Sequence, residues 1–305
     1  MSGVTILGSL NVDLLTEVPH LPRRGETVSG RSVGRLPGGK GANQAVACAR
    51  AGARVRMVGA CGTDEVGDLL VSTLKEEGID VRDVHRAAGS TTGTATIFVD
   101  SAGENMIVLS PGANDHVGAE QVDAACSDLA AGDVLLMQLE IPVATVRLAA
   151  ERAHRRGATV VLNAAPVRPD LDDLLSLVDV LVVNEHEAIQ LAAGVAPSDA
   201  SAAECAPLLA EQHGCLVVAT LGPDGALSTR GERPARTEAP AVTVKDTVGA
   251  GDAFTGYLAA ALSRGTDEPT AIADAVRAAS IAVARPGAQA SIPLRAELSK
   301  PIGGA

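Results

Sequence analysis

Residues 245–257 read KDTVGAGDAFTGY, and the rest of the chain is organised around them. An apolar segment at 241–244 predicts a strand that leads into Asp246 and Thr247. Gly249 and Gly251 flank Ala250, and Asp252 then opens an apolar helical run ending near Ser263. Glycines beside a helix start let the backbone turn so that several free N–H groups converge. The helix dipole adds partial positive charge at the same point, which suits an anion such as phosphate. A carboxylate placed there reads in two ways. Asp252 is an ordinary N-cap, a role in which Asp is favoured, or it is a base held beside a bound phosphate.

Working outward, apolar runs alternate with helical segments. Strands are predicted at 4–7, 54–60, 133–139, 158–162, 180–183 and 215–220. Helices are predicted at 64–77, 142–156, 185–193 and 199–213, with Gly78 and Gly157 placed to end two of them. Continuous apolar strands between helices indicate an α/β fold whose mostly parallel sheet is sandwiched by helices. No long linker or repeat divides the chain, so a single domain over residues 1–305 is expected. Two β-like blocks interrupt the alternation. The first is rich in Pro, Gly and Arg, with strand-like pieces at 26–32. The second is a hairpin of 94–100 and 104–109 across Ser101, Ala102 and Gly103. Together, at about 14–36 and 92–111, they predict a small β-sheet lid.

Between these blocks, residues 34–41 read GRLPGGKG, close to the phosphate-binding pattern of G, four residues, then G-K-S/T. Gly41 stands where the hydroxyl should be, and Pro37 lies inside the loop, so that reading is rejected. What remains is a Gly-rich turn at the start of an Ala-rich helix, bearing Lys40 and Asn43. Asn11 and Asp13, two apart in an extended segment, face the same side. Glu140, Asn163, Asn184 and Thr220 each follow or end an apolar strand, and ligands of open α/β sheets bind outside those carboxyl ends.

Composition narrows the partners. A formal charge of −12, with only two Phe, one Tyr and no Trp, argues against nucleic-acid binding by phosphate contacts or stacking. Five scattered cysteines without a C-x-x-C pair fit reduced thiols in the cytoplasm rather than zinc or disulfides. No apolar run reaches membrane-spanning length and no signal peptide is indicated, so no membrane association is expected.

The motifs combine into a resemblance. PGGKGANQAVACARAGA (37–53) followed by GACGTDEVGDLL (59–70), and KDTVGAGDAFTGYLAAAL (245–262), resemble the two signature regions of the ribokinase-like carbohydrate kinases. GSLNVD, GENMIVLSPGAN, LLMQLEIP, VNEHEA, TLGPDGA and GAQASIP extend it, in order, from Val4 to about Arg295. The resemblance implies a Rossmann-like three-layer domain and a homodimer formed through the β lid. It implies a ribose site at Asn11, Val12, Asp13, Gly39, Lys40, Gly41, Ala42, Asn43, Glu140 and Asp252. Nucleotide positions would be Asn184, Glu187, Thr220, Leu221, Gly222, Pro223, Asp224, Gly225 and Gly251, with Glu187 near magnesium and phosphate. Asp252 would be the general base, with Gly249, Ala250 and Gly251 forming the anion hole. Asp246, Val248, Ala282, Arg285, Gly287 and Ser291 would hold a monovalent cation, largely through carbonyl oxygens. Val276 departs from the His or Asn that relatives often carry near the adenine.

The implied activity is ATP-dependent phosphorylation of D-ribose at O5, with Mg²⁺ and with K⁺ as activator. Rival readings are a kinase of the same fold for deoxyribose, fructose or pseudouridine, and a non-catalytic sugar-binding regulator. A nucleoside would be expected to stack on lid aromatics, of which the blocks offer only Phe98. A regulator should have lost the base or the glycines, and both are present. A dinucleotide oxidoreductase is excluded because GAGDAF lacks the third glycine and lies late in the chain.

Overall fold

Strands that are apolar on both faces must be covered on both faces, and the computed structural model shows where the cover comes from. It describes residues 2–302 apart from 232. The chain opens with β1 (Val4–Leu7), β2 (Asn11–Glu17), β3 (Arg31–Gly38) and helix α1 (Lys40–Arg50). β4 (Val55–Gly62), α2 (Glu65–Glu76), β5 (Asp80–Ala87), β6 (Gly93–Val99) and β7 (Asn105–Ser110) follow. Alternation then resumes through α3 (Ala119–Cys126), β8 (Val134–Gln138), α4 (Val143–Arg155) and β9 (Thr159–Asn163). It continues with α5 (Asp172–Leu175), β10 (Val180–Asn184), α6 (Glu185–Leu191), α7 (Ala202–His213) and β11 (Leu216–Thr220). The hairpin β12 (Ala226–Thr229) and β13 (Ala235–Thr237) precedes α8 (Ala250–Ser263) and α9 (Glu268–Val283).

Among the described residues the strands form two sheets. The larger has the order β13-β12-β11-β10-β9-β8-β1-β4-β5 and is parallel except for its β11–β12–β13 end. Neighbouring residues of its strands point to opposite sides, as the pleat requires. Leu135 and Met137 enter one buried cluster with α4 and α7, while Val134 and Leu136 enter the other with α1, α8 and α9. Three layers result, as expected from the apolar runs. No helix among the described residues is long and apolar enough to cross a membrane.

The smaller sheet has the order β3-β2-β6-β7, with β2 and β6 parallel. It begins where β1, an interior strand of the large sheet, ends, since only Gly8 to Leu10 separate β1 from β2. Its second strand starts at Arg31, so the piece expected at 26–30 is not strand. Every residue of β7 is exposed.

Two further differences have physical causes. The strand expected at 241–244 does not form. Lys245 and Asp246 both donate to Val283 O at the end of α9 (2.8 and 3.2 Å), and Val244 is 59% exposed. The run is apolar, yet its backbone joins no ladder. Conversely β5 and α3 have no counterpart in the sequence reading. In β5, DVRDVHRA, only Val84 and Ala87 are buried, because it is an edge strand whose charges guard the sheet.

Helices α1 and α8 approach closely on the same face. Phe254 and Tyr257 of α8 are buried, and the Tyr257 hydroxyl donates to Pro293 O (2.7 Å). At the crossing, a Cβ on Gly256 would lie 2.4 Å from Ala47 Cβ and 2.7 Å from Gln44 O. Only hydrogen fits there. Gly256→Ala should therefore destabilise the fold by roughly 1–3 kcal/mol, the usual penalty for overpacking. Urea unfolding measures it, and an unchanged midpoint would mean the helices are not in this contact.

Candidate active site

The carboxyl ends of the large-sheet strands and the head of α1 meet beneath the small sheet. Asn11 and Asp13 lie at the start of β2 and are both buried. Glu140, just past β8, turns one oxygen to α1: its Oε2 accepts from Ser9 Oγ (2.5 Å), Lys40 N (3.1 Å) and Asn11 Nδ2 (3.5 Å). A carboxylate at a helix start is stabilised by the free amides and the dipole. Asn114 Nδ2 donates to Asn11 Oδ1 (2.7 Å), and Asn114 Oδ1 accepts from Leu10 N (3.0 Å). Asn114 thus fixes which way Asn11 points. Of the other residues expected on this side, Gly39 is the N-cap of α1 with φ 88°, and the Gly41 amide donates to Ser9 Oγ (3.2 Å). Val12 and Ala42 are buried, Ala42 within the core cluster shared by α1, α8 and α9.

At the head of α8 the structure corrects the capping reading of Asp252. Gly249 is the N-cap, in the left-handed region at φ 78°, and the helix begins at Ala250. Asp252 lies inside the first turn, and no side chain caps this helix. Its Oδ2 accepts from Asn43 Nδ2 (2.9 Å) and its Oδ1 from Gln44 Nε2 (2.9 Å). Ala250 N donates to Thr247 O (3.3 Å) and Ala253 N to Gly249 O (2.8 Å). The amides of Gly251 and Asp252 donate to no group among the described residues.

A cavity of about 230 Å³ opens onto this turn. Lys40, Asn184, Glu187, Thr220, Gly249, Gly251 and Asp252 line it, together with Asn163, Thr247 and Thr255. Asn184 and Glu187 form a reciprocal capping box at the start of α6, both bonds 2.8 Å. Beyond Thr220, Leu221 is buried, whereas Gly222, Pro223 and Asp224 form an exposed single turn closed by Gly225. Val276 is 4% exposed and packs in the core rather than on the cavity.

Behind the turn, Asp246 ties two loops together. Its Oδ1 accepts from Val248 N (3.0 Å) and its Oδ2 from Gly287 N (2.8 Å). Ala282 O accepts from Arg285 N (2.9 Å), Arg285 pairs with Glu297 (2.6 Å), and Ser291 Oγ donates to Ala288 O (2.8 Å). The six residues expected around a cation therefore come from these adjoining loops and, for Ala282, from the last turn of α9.

Charge is concentrated on the cavity. Burial works against the Lys40 ammonium, but Asp252, Glu140 and Glu187 outweigh it and hold its pKa above the ordinary lysine value. Burial, then the neighbouring charges of Glu140 and Asp252, push Asp13 up to about 7. Glu187 is also raised, mainly by burial, against the opposing effects of the Asn184 amide and Lys40. Ser9, Gln44 and Asn114 were not singled out from the sequence. Gln44 beside Asn43 in the Gly-rich turn, and Asn114 at the end of GENMIVLSPGAN, were inside quoted motifs and could have been found there.

Fold and site together are those of a small-molecule kinase. The description "pfkB family carbohydrate kinase" matches residues 1–295, and the chain belongs to that family. It is 39% identical to the ribokinase of Haemophilus influenzae over 294 residues, 96% of each chain. The crystal structure of ribokinase from Thermotoga maritima matches with a TM-score of 0.89 at 33% identity, covering 98% of both chains. A structure of Arabidopsis thaliana ribokinase complexed with ribose and ATP matches with a TM-score of 0.87 at 30% identity, over 100% of both.

Asp13 gives a pH-dependent signature. Folding raises its pKa from 3.8 to about 7, so between those values the folded chain binds more protons than the unfolded one. Stability from this group is therefore present at low pH and lost as pH rises through 7. Asp13→Asn should be more stable than wild type above pH 7, by about 4 kcal/mol at most, and the gap should close toward pH 4. Parallel urea-unfolding profiles for the two proteins would contradict the assignment.

Proposed function

We propose that this chain transfers the γ-phosphoryl group of ATP to O5 of D-ribose, giving D-ribose 5-phosphate and ADP. The observation that carries the reading is Asp252, a buried carboxylate at the head of α8, facing the cavity beside the unpaired amides of the Gly-rich turn. Asn11, Asp13 and Glu140 supply donors and acceptors for sugar hydroxyls, on the Gly39–Asn43 side of the site. Asp252 takes the proton of the 5-hydroxyl as that oxygen bonds to the γ-phosphorus. The bond to the bridging β–γ oxygen breaks, and ADP leaves. Amides of Gly251 and Asp252 face the charge that develops on the transferred group. Asn184, Glu187 and the turn from Thr220 to Gly225 would hold the nucleotide, the exposed Gly222–Asp224 turn forming its outer wall. With Val276 packed into the core, the base would be met by backbone and by this turn.

The donor set also fits metal ions. Glu187 has one oxygen beyond its bond to Asn184 N, a hard ligand of the type Mg²⁺ takes alongside phosphate oxygens. When bound, Mg²⁺ neutralises charge on the phosphates. Asp246 holds the Val248 and Gly287 loops side by side, and with Ala282, Arg285 and Ser291 their oxygens would bind K⁺. The small sheet would act as a lid over a single kinase domain, keeping water from the transferred phosphoryl group. Exposed Val33, Leu36, Met106, Ile107, Val108 and Leu109 lie on that sheet and support a homodimer formed through it. Five free, buried cysteines suit the cytoplasm. The small sheet offers only Phe98 for stacking, which favours a sugar over a nucleoside.

A coupled assay of ADP release across ribose, deoxyribose, fructose, adenosine and pseudouridine tests the substrate. Ribose should give the highest kcat/KM, and a clear preference for another member of the panel would replace it. Asp252→Asn should lower kcat by roughly 10²–10⁴-fold with little change in ribose KM; turnover close to wild type would remove Asp252 from the role of base. Exchange of K⁺ for Na⁺ should change the rate, and equal rates in both salts would count against the loop site.

A further inference from the structure

Two chains of side-chain amides converge on Asp252. Gln44 Nε2 donates to Asp252 Oδ1 (2.9 Å), and Gln44 Oε1 accepts from Gln138 Nε2 (2.6 Å). Asn43 Nδ2 donates to Asp252 Oδ2 (2.9 Å), and Asn43 Oδ1 accepts from Gln289 Nε2 (3.0 Å). Gln44 Nε2 is shared with Asn163 Oδ1 (3.0 Å). All of these side chains are buried. Gln138 Oε1 and Gln289 Oε1, at the outer ends, are the two buried side-chain polar atoms without a partner among the described residues.

The pattern follows from one fact: an ionised carboxylate only accepts. Both neighbouring amides must turn their NH₂ groups inward, which turns their oxygens outward. The next amides must then donate in turn, and each chain ends on an unpaired oxygen. An unpaired buried acceptor is unfavourable, and both instances fall at the same place in the two chains. Space is kept for one of them by a glycine, since a Cβ on Gly8 would lie 2.1 Å from Gln138 Oε1.

We infer that Gln44, held by Gln138, is a positioning residue for phosphoryl transfer, and that the two amide chains keep Asp252 charged and aimed at the cavity. The inference rests on the phosphotransferase reading above. Aligned amides with their positive ends inward replace the water that burial excludes. The charged groups facing Asp252 are Lys40, which attracts its negative charge, and Asp13 and Glu187, which oppose it.

Wild type, Gln44→Leu and Gln138→Met are compared for ribose phosphorylation as a function of pH. Gln44→Leu should lower kcat by roughly 10²-fold, the scale of a misplaced catalytic group, with ribose KM little changed. The acid limb of its kcat profile should move toward higher pH, because a donor to the charged acceptor is lost. Gln138→Met leaves Asp252 untouched but frees Gln44 to turn, so its acid limb should move the same way by less. In an Asp252→Asn background, Gln44→Leu should cause little further loss. Unmoved acid limbs in both variants, even with reduced kcat, would make the amides merely structural and overturn the inference. Should Gln44→Leu fail to fold, the Gln138→Met profile decides alone. A wild type without ribose-dependent ADP release refutes the underlying reading instead.

Discussion

The rest of the structure depends on burying the Asp252 carboxylate without an ion pair. It is 7% exposed, and among the described residues its side-chain hydrogen bonds come from amides alone. A buried charge persists only if it is hydrogen-bonded or paired, so α1 must bring Asn43 and Gln44 within bonding distance of α8. Long side chains at the crossing would hold the helices apart. Ala47 and Gly256 remove that obstacle, and Cys48 Sγ donates to Gly256 O at 3.2 Å across the same seam. The same helix presents Lys40 N to Glu140 at its head. Two motifs some two hundred residues apart are in this sense one physical unit.

Electrostatics then constrain what can enter. Asp252, Glu140 and Glu187 surround one ammonium, that of Lys40, and Asp13 adds a fourth carboxylate beside Glu140 and Asp252, in a chain of formal charge −12. A triphosphate entering such a site adds further negative charge. Interactions of this kind are strong where water is excluded, so the positive end of α8 and Lys40 have more charge to offset than they carry. Raised pKa values at Asp13 and Glu187 point the same way, since burial and neighbouring carboxylates already favour taking up protons there.

What could be read from the sequence follows the range of the interactions involved. Apolar runs such as 134–138 and 216–220 declare buried parallel strands locally, and Gly249 declares a turn. Segment 241–244 misled because apolar content says nothing about whether a neighbouring strand is there to pair with; the chain just beyond it, at Lys245 and Asp246, is tied instead to Val283 O at the end of α9. β5 was hidden by the charges that suit an edge. Asp252 looked like a cap because capping is a local habit of Asp, whereas its partners lie about two hundred residues away. Gln44, Gln138 and Gln289 all fall inside the motifs that carry the resemblance, yet nothing local marks them for this role. A glutamine on a helix or strand reads as surface, and only the folded contacts reveal it as the support of a buried charge.

The two sheets divide the proposed sugar site between them. Asn11 and Asp13 belong to the small sheet, while Asn43 on α1, Glu140 just past β8 and Asp252 on α8 belong to the layers built around the large one. Asn114 clamps the junction by bonding Leu10 on its backbone and Asn11 on its side chain. Asn11 and Asp13 are therefore fixed relative to Asp252. Pairing of β2 with β3 shifts register between Leu15 and Thr16, where Val33 is the extra residue. A bulge bends a strand and weakens its ladder locally. That irregularity is confined to the β3 side, because β2 pairs with β6 without a break from Asn11 to Glu17. The strand that carries Asn11 and Asp13 is thus held on one side by a continuous ladder, and the small sheet gives way only at its β3 edge.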